Sequence, residues 1–186
     1  MKLVILVGVP GSGKSALLAQ LVHQLPEVKV LNYGDKMLEE ASSKGLSRDM
    51  IRRMEYHEQR RLGLMAARRI AGEAAGHLTV VDTHSVIRTP LGYRPGLPHD
   101  VLEVLSPQAL AYIACSPKTI QQRRSLDTSR HRDVESLEEL ALDLEMTRAY
   151  LAAASVLTGA SLSPIPNDSG SIQDNAAPLV RLLQSL

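Results

Sequence analysis

Phenylalanine and tryptophan are absent from this 186-residue sequence, tyrosine occurs five times and cysteine once. With so few flat rings, recognition of a base by stacking falls to tyrosine or to arginine guanidinium planes. The single cysteine, Cys115, allows no internal disulfide and no cysteine-rich zinc site. Its plain reading is a buried core thiol in a reducing, intracellular compartment. An excess of one charge is missing too: 21 basic side chains face 20 acidic ones, so nothing global draws the chain to nucleic acid or to an anionic membrane. Long apolar runs are also lacking. Leu3 to Val7 is interrupted by Gly8 and Pro10 before a signal-peptide core or membrane span could be complete, and the expectation is a cytoplasmic protein with no membrane partner. No repeat, low-complexity tract or Gly/Ser linker divides the chain, so residues 1–186 read as one domain.

What is present is alternation. Five apolar or β-branched runs, at Leu3–Val7, Val28–Leu31, Leu78–Val81, Ala109–Ala114 and Ala160–Ile165, read as strands, the continuous first one as a strand buried on both faces. Helical periodicity covers Lys14–Leu25, Asp35–Ser43, Arg48–Ala75, Pro117–Ser125, Val134–Leu157 and Ile172–Leu183. Strands separated by crossover helices predict an α/β fold, a three-layer α/β/α sandwich on a parallel sheet. The stretch from His84 to His99, with three prolines and two glycines, reads as irregular; it follows a strand end, the edge where open parallel sheets bind ligands.

Gly8 to Ser15 spells GVPGSGKS, a complete G-x-x-x-x-G-K-[ST], placed after a buried strand and before a helix as its mechanism requires. The ATP-binding set is Gly8, Val9, Pro10, Gly11, Ser12, Gly13, Lys14, Ser15 and Ala16. Backbone N–H groups, roughly those of Gly11 to Ala16, converge on the β-phosphate at the positive end of the new helix. Lys14 bridges the β- and γ-phosphates, and Ser15 offers a hydroxyl to Mg²⁺. Asp82, ending the third strand run, reads as the acid that holds magnesium through water; an acid capping the following loop is the alternative. His84 either touches a phosphate or is a loop histidine satisfied by backbone.

Two arginine groups stand out. Between residues 48 and 69 lie seven arginines against three acids, and Arg48 and Arg52, four apart, could clamp a phosphate from one helical face; a solvated helix face is the other reading. Arg123, Arg124, Arg130 and Arg132 lie on a short polar segment between two helices. They suit a lid that closes over triphosphate and supplies charge to the transferring phosphoryl group, or else a salt-bridged turn with Asp127 and Asp133.

The stretches GVPGSGKS from Gly8, LNYGDKML from Leu31, SRDMIRRM from Ser47, VVDTHSVIRTPLGYRPGLP from Val80, RRSLDTSRHRD from Arg123 and VLTGAS from Val156 together resemble the archaeal-type adenylate kinases, within the nucleoside-monophosphate kinases. The resemblance implies strand order 2-3-1-4-5, a monophosphate-binding region near 33–68 and a lid near 124–134. It implies Mg²⁺-dependent, reversible phosphoryl transfer from ATP to AMP giving two ADP, in a homotrimer. Lys14, Arg123, Arg130 and Arg132 would be catalytic, Arg52 and Arg88 would hold the AMP phosphate, and Tyr33, Gly34 and the loop from Asp82 to Leu97 would line the nucleoside side. Asn167 would lie near the ATP adenine. Transfer between two nucleotides needs alignment and charge neutralisation but no general base. The chain departs from the pattern at Ala16, where many such kinases carry a second hydroxyl, and at Lys36 and Arg94, which face either the site or solvent. The alternatives are another small P-loop kinase for a nucleotide or metabolite, or a P-loop ATPase timing ribosome or RNA assembly. A GTPase is disfavoured because no N-K-x-D motif occurs.

Overall fold

In a computed structural model, residues 2–43, 45–127 and 135–186 are described. In chain order they form β1 (Lys2–Val7), α1 (Lys14–Gln24), β2 (Lys29–Asn32), α2 (Tyr33–Ser42), α3 (Arg48–Arg53), α4 (Tyr56–Ala74), β3 (Leu78–Thr83), β4 (Val86–Thr89), β5 (Gly92–Pro95), α5 (His99–Leu105), β6 (Ala109–Ala114), α6 (Pro117–Leu126), α7 (Leu137–Thr158), β7 (Ser161–Pro166) and α8 (Ile172–Gln184). Five strands make one parallel sheet in the order β2-β3-β1-β6-β7. Counting only those five, the order is 2-3-1-4-5. The strands β4 and β5 stand apart as an antiparallel hairpin.

The apolar run of β1 is continuous because it is the central strand, paired on both sides and covered on both faces. Leu3, Ile5 and Val7 pack with Ile70, Leu102 and Leu151, whereas Val4 and Leu6 pack with Leu17, Leu21 and Leu179. The long α7 serves both clusters, giving Leu140 and Leu144 to one and Leu151 and Ala154 to the other.

Three elements differ from the pattern read in the sequence. The helix expected over 48–75 is two helices, broken where Met54 and Glu55 turn extended (ψ 154° and 143°). Gln59 fills the break, its amide donating to the carbonyl of Ile51 (2.8 Å), which also accepts the Met54 N–H, and to that of Met54 (3.1 Å). The irregular stretch after residue 83 contains the β4–β5 hairpin, and α5 follows it. Gly96 closes the hairpin onto β3: its N–H donates to Ser85 O at 2.7 Å, and a Cβ there would overlap the His84 carbonyl. Among the described residues no helix is long and apolar enough to cross a membrane.

Candidate active site

The C-terminal ends of β1 and β3 lie side by side, with Leu6 opposite Asp82 and Val7 opposite Thr83. The chain leaving β1 therefore turns beside the Asp82 carboxylate. At Gly13 it enters α1 with φ +89°, and a Cβ there would overlap the amide of Asn167. Five helices, α2, α3, α6, α7 and α8, begin with an Asn or Ser side chain accepting a first-turn N–H. No side chain caps α1, so its first N–H groups stay open to an anion. The Ser12 N–H is spent on Val9 O at 3.1 Å, so the predicted cradle of N–H groups does not include it.

Lys14 forms an ion pair with Asp82 and donates to Thr83 O at 3.1 Å. Asn32, ending β2, donates to the other Asp82 oxygen at 2.8 Å, so the ends of β2 and β3 and the first turn of α1 meet at one carboxylate. Ser15 stands exposed in the first turn of α1, directly after Lys14. The imidazole of His84 contacts Gly8 O at 3.1 Å through Nδ1; a carbonyl can only accept, so Nδ1 carries the proton. Part of the His84 side chain is open to water. Desolvation on its packed side, then the Lys14 charge, lower its pKa below the ordinary imidazole value, and the bond to Gly8 and the Asp82 charge oppose this.

The P-loop backbone is strapped from the opposite side. Arg123 donates to Ser12 O at 3.1 Å and touches the Cys115 sulfur at 3.4 Å. Arg124 donates to Pro10 O at 2.9 Å and pairs with Glu135. Asn167 is buried, its amide donating to Ser12 O at 2.6 Å while its own carbonyl accepts from Asn175 at 2.9 Å. Its side chain braces the loop at Ser12. Cys115 is buried as expected, and burial pushes its thiol up to about 11. Arg130 and Arg132 lie outside the described residues, as does most of the expected lid.

Across the sheet edge, Tyr33 opens α2 and is buried, while Gly34 is exposed. Arg48 and Arg52 fall one turn apart on α3. Lys36 is engaged by Glu73 (2.9 Å) and Glu39 (3.1 Å), and Arg69 joins α2 to α4 through Glu39, Glu40 and Glu73. Arg94 on β5 lies 4.9 Å from the centre of the Tyr56 ring, and Arg60 bonds Asp100 at 3.0 Å, tying α4 to the hairpin and α5. Arg88 is not brought to the P-loop groups: its nearest partner is Asp143 on α7, at 2.7 Å.

Lys14, Asp82, His84, Arg123 and Asn167 are thus brought together, with Ser15 on the adjoining turn of α1. Sequence reasoning missed Asn32, whose signal was its place at a strand end, and it did not anticipate that Arg124 holds backbone. A cationic cradle with one acid beside it can bind a triphosphate, and its oxygen donors Ser15 and Asp82 suit a hard divalent ion. Among the described residues no three His, Cys, Asp or Glu side chains gather as a preformed metal cage.

Comparison with known proteins bears on what the cradle serves. An AAA domain family matches residues 7–141. The chain is 37% identical to the adenylate kinase of Methanothermobacter thermautotrophicus over 186 residues, covering 99% of this chain and 100% of that one. It is 36% identical to the adenylate kinase of Methanocaldococcus jannaschii (98% of each chain) and 38% identical to that of Saccharolobus solfataricus (98% and 100%). Solved structures of similar fold include the shikimate kinase of Bacteroides thetaiotaomicron (TM-score 0.61, 15% identity, 98% of each chain) and that of Aquifex aeolicus (TM-score 0.61, 14%, 98% and 96%). At such low identity these last two speak for the fold alone.

Proposed function

The chain belongs to the archaeal-type adenylate kinases, and from that membership we propose that it transfers the γ-phosphoryl group of Mg-ATP reversibly to AMP, giving two ADP. The observation that carries the reading is the Lys14–Asp82 pair at the adjoining ends of β1 and β3, beside an uncapped helix start. ATP phosphates would lie along the P-loop, with Lys14 exchanging its carboxylate partner for phosphate oxygens and Arg123 close by. Mg²⁺ would be held by the Ser15 hydroxyl and, through water, by Asp82, and would neutralise charge on the phosphates. Released from Lys14, Asp82 keeps its Asn32 hydrogen bond and stays oriented. Arg130 and Arg132 would add charge from the lid, residues 124–134. AMP would sit against the arm formed by residues 33–68, with Tyr33 and Gly34 on the nucleoside side, Arg48, Arg52 and Arg88 at its phosphate, and Asp82 and His84 where the two nucleotides meet.

Residues 1–186 would act as one domain, in the cytoplasm, as a homotrimer without nucleic-acid partners; sedimentation equilibrium returning only monomer overturns the trimer. The function is tested by following ADP formation from Mg-ATP with AMP, GMP, CMP, UMP, dAMP or no acceptor. Fast turnover with AMP is expected. Slow hydrolysis indifferent to every monophosphate overturns the proposal.

A further inference from the structure

The hairpin and α7 share a cluster around Arg88 whose other members, Tyr93, Glu135, Glu139 and Asp143, have no part in the transfer reaction as described above. Arg88 reaches one Asp143 oxygen with Nη2 at 2.7 Å and Nε at 3.2 Å, and Nη2 also donates to the Glu139 carbonyl at 3.3 Å. Its Nη1 has the carboxylates of Glu135 at 3.5 Å and Glu139 at 3.7 Å. Tyr93, opposite Arg88 in the hairpin register, donates its hydroxyl to the same Asp143 oxygen, and its ring centre lies 5.9 Å from the guanidinium. Three carboxylates thus surround one guanidinium. Asp143 occupies the Nε/Nη2 edge, the fork with which arginine grips a phosphate, so that edge cannot serve both anions at once.

We propose that Asp143 is a positioning residue for the acceptor phosphate: it holds Arg88 against α7 and competes with the incoming monophosphate for the same guanidinium edge, while Tyr93 tempers that hold by donating to the contested oxygen. The proposal rests on the reading that Arg88 takes the acceptor phosphate. Binding then exchanges one carboxylate for a phosphate dianion. The strength of the Asp143 pair sets how much acceptor is needed, and it leaves the chemical step untouched.

The test is steady-state kinetics of the full chain with AMP and Mg-ATP varied separately, for Asp143→Asn, Tyr93→Phe, Arg88→Ala and both double variants with Arg88→Ala. Asp143→Asn keeps the size of the side chain and an acceptor for Tyr93, and removes only the charge. It is expected to lower the KM for AMP about threefold, on the scale of one part-exposed ion pair, with kcat and the KM for ATP unchanged. Tyr93→Phe keeps the ring, frees the Asp143 oxygen and is expected to raise the KM for AMP. Both effects vanish in the Arg88→Ala background. An Asp143→Asn enzyme whose KM for AMP is unchanged or raised, while Arg88→Ala raises it, overturns the competition and leaves Arg88 in place. If Arg88→Ala leaves the KM for AMP unaltered, the assignment of Arg88 fails, and the proposal with it.

Discussion

The P-loop and the region proposed above to take the acceptor, called here the donor and acceptor sides, are held by different forces. On the donor side, beside the Lys14–Asp82, Asn32–Asp82 and Arg124–Glu135 contacts, many of the bonds run from side chain to backbone: Arg123 and Asn167 to Ser12 O, Arg124 to Pro10 O, Lys14 to Thr83 O, His84 to Gly8 O. A backbone carbonyl has no rotamer of its own, so at each of these bonds only one of the two partners can swing away, and Ser12 O is held by two side chains at once. On the acceptor side, side chains bond to side chains across partly exposed surfaces: Lys36 and Arg69 to glutamates, Arg60 to Asp100, Arg88 to Asp143. Such pairs are individually weak and readily exchanged. A rigid cradle thus faces a region whose contacts can be re-formed around a substrate, which suits a reaction that must align two nucleotides and then release them.

The largest test of this contrast is Lys14→Met, which removes charge that the transition state needs. kcat is expected to fall by about three orders of magnitude while the melting curve stays cooperative, since Asp82 keeps Asn32. A drop confined to KM would show the donor side to be as adaptable as the acceptor side. Next comes Gly13→Ala, at φ +89° and against the Asn167 amide. A stability loss of roughly 1–3 kcal/mol is expected in denaturant titration, together with weakened ATP binding, because the cradle cannot give way. Arg52→Ala is expected to raise the KM for AMP about tenfold with the KM for ATP unaltered; equal changes in both would merge the two regions into one. The smallest effect concerns pH. The pKa of His84 is lowered in the fold, so below the ordinary value of 6.5 the unfolded chain binds the extra proton and the folded chain resists it. The stability His84 confers is present above that pH and is lost as pH falls through it. With one side of the ring open to water the change is small, and it should be absent from His84→Gln when melting temperatures at pH 7.5 and 5.5 are compared.

The donor side was the more legible half. A glycine-rich run between a buried strand and a helix, and an acid at another strand end, are local patterns, and the fold placed Gly8 to Ser15 beside Asp82 as the pattern requires. The sheet was legible for the same reason in its middle strands: the apolar runs of β1, β3 and β6 follow from their near-complete burial, whereas β7 at the edge is mostly exposed. Less could be read where contacts are long-range. Nothing in its neighbourhood marks Asn167 as a brace for Ser12, 155 residues earlier, or ties Asp143 to Arg88. The hairpin hid behind its prolines and glycines, since Pro95 pairs with Val86 at the open end where a missing N–H costs little. The break at Met54–Glu55 hid inside a helical period that runs through it unchanged. What fills that gap, the Gln59 amide, has no pattern of its own.

The pair between Arg124 and Glu135 joins the chain on either side of residues 128–134 and so closes a small loop at its neck by a non-covalent clasp. The entropy of such a loop depends only on the logarithm of its length, each doubling costing about 0.6 kcal/mol. As long as the neck is kept, a much longer segment, even a folded module with adjacent termini, could be spliced there at little thermodynamic penalty. Such a splice would leave undisturbed the P-loop, which Arg124 also holds.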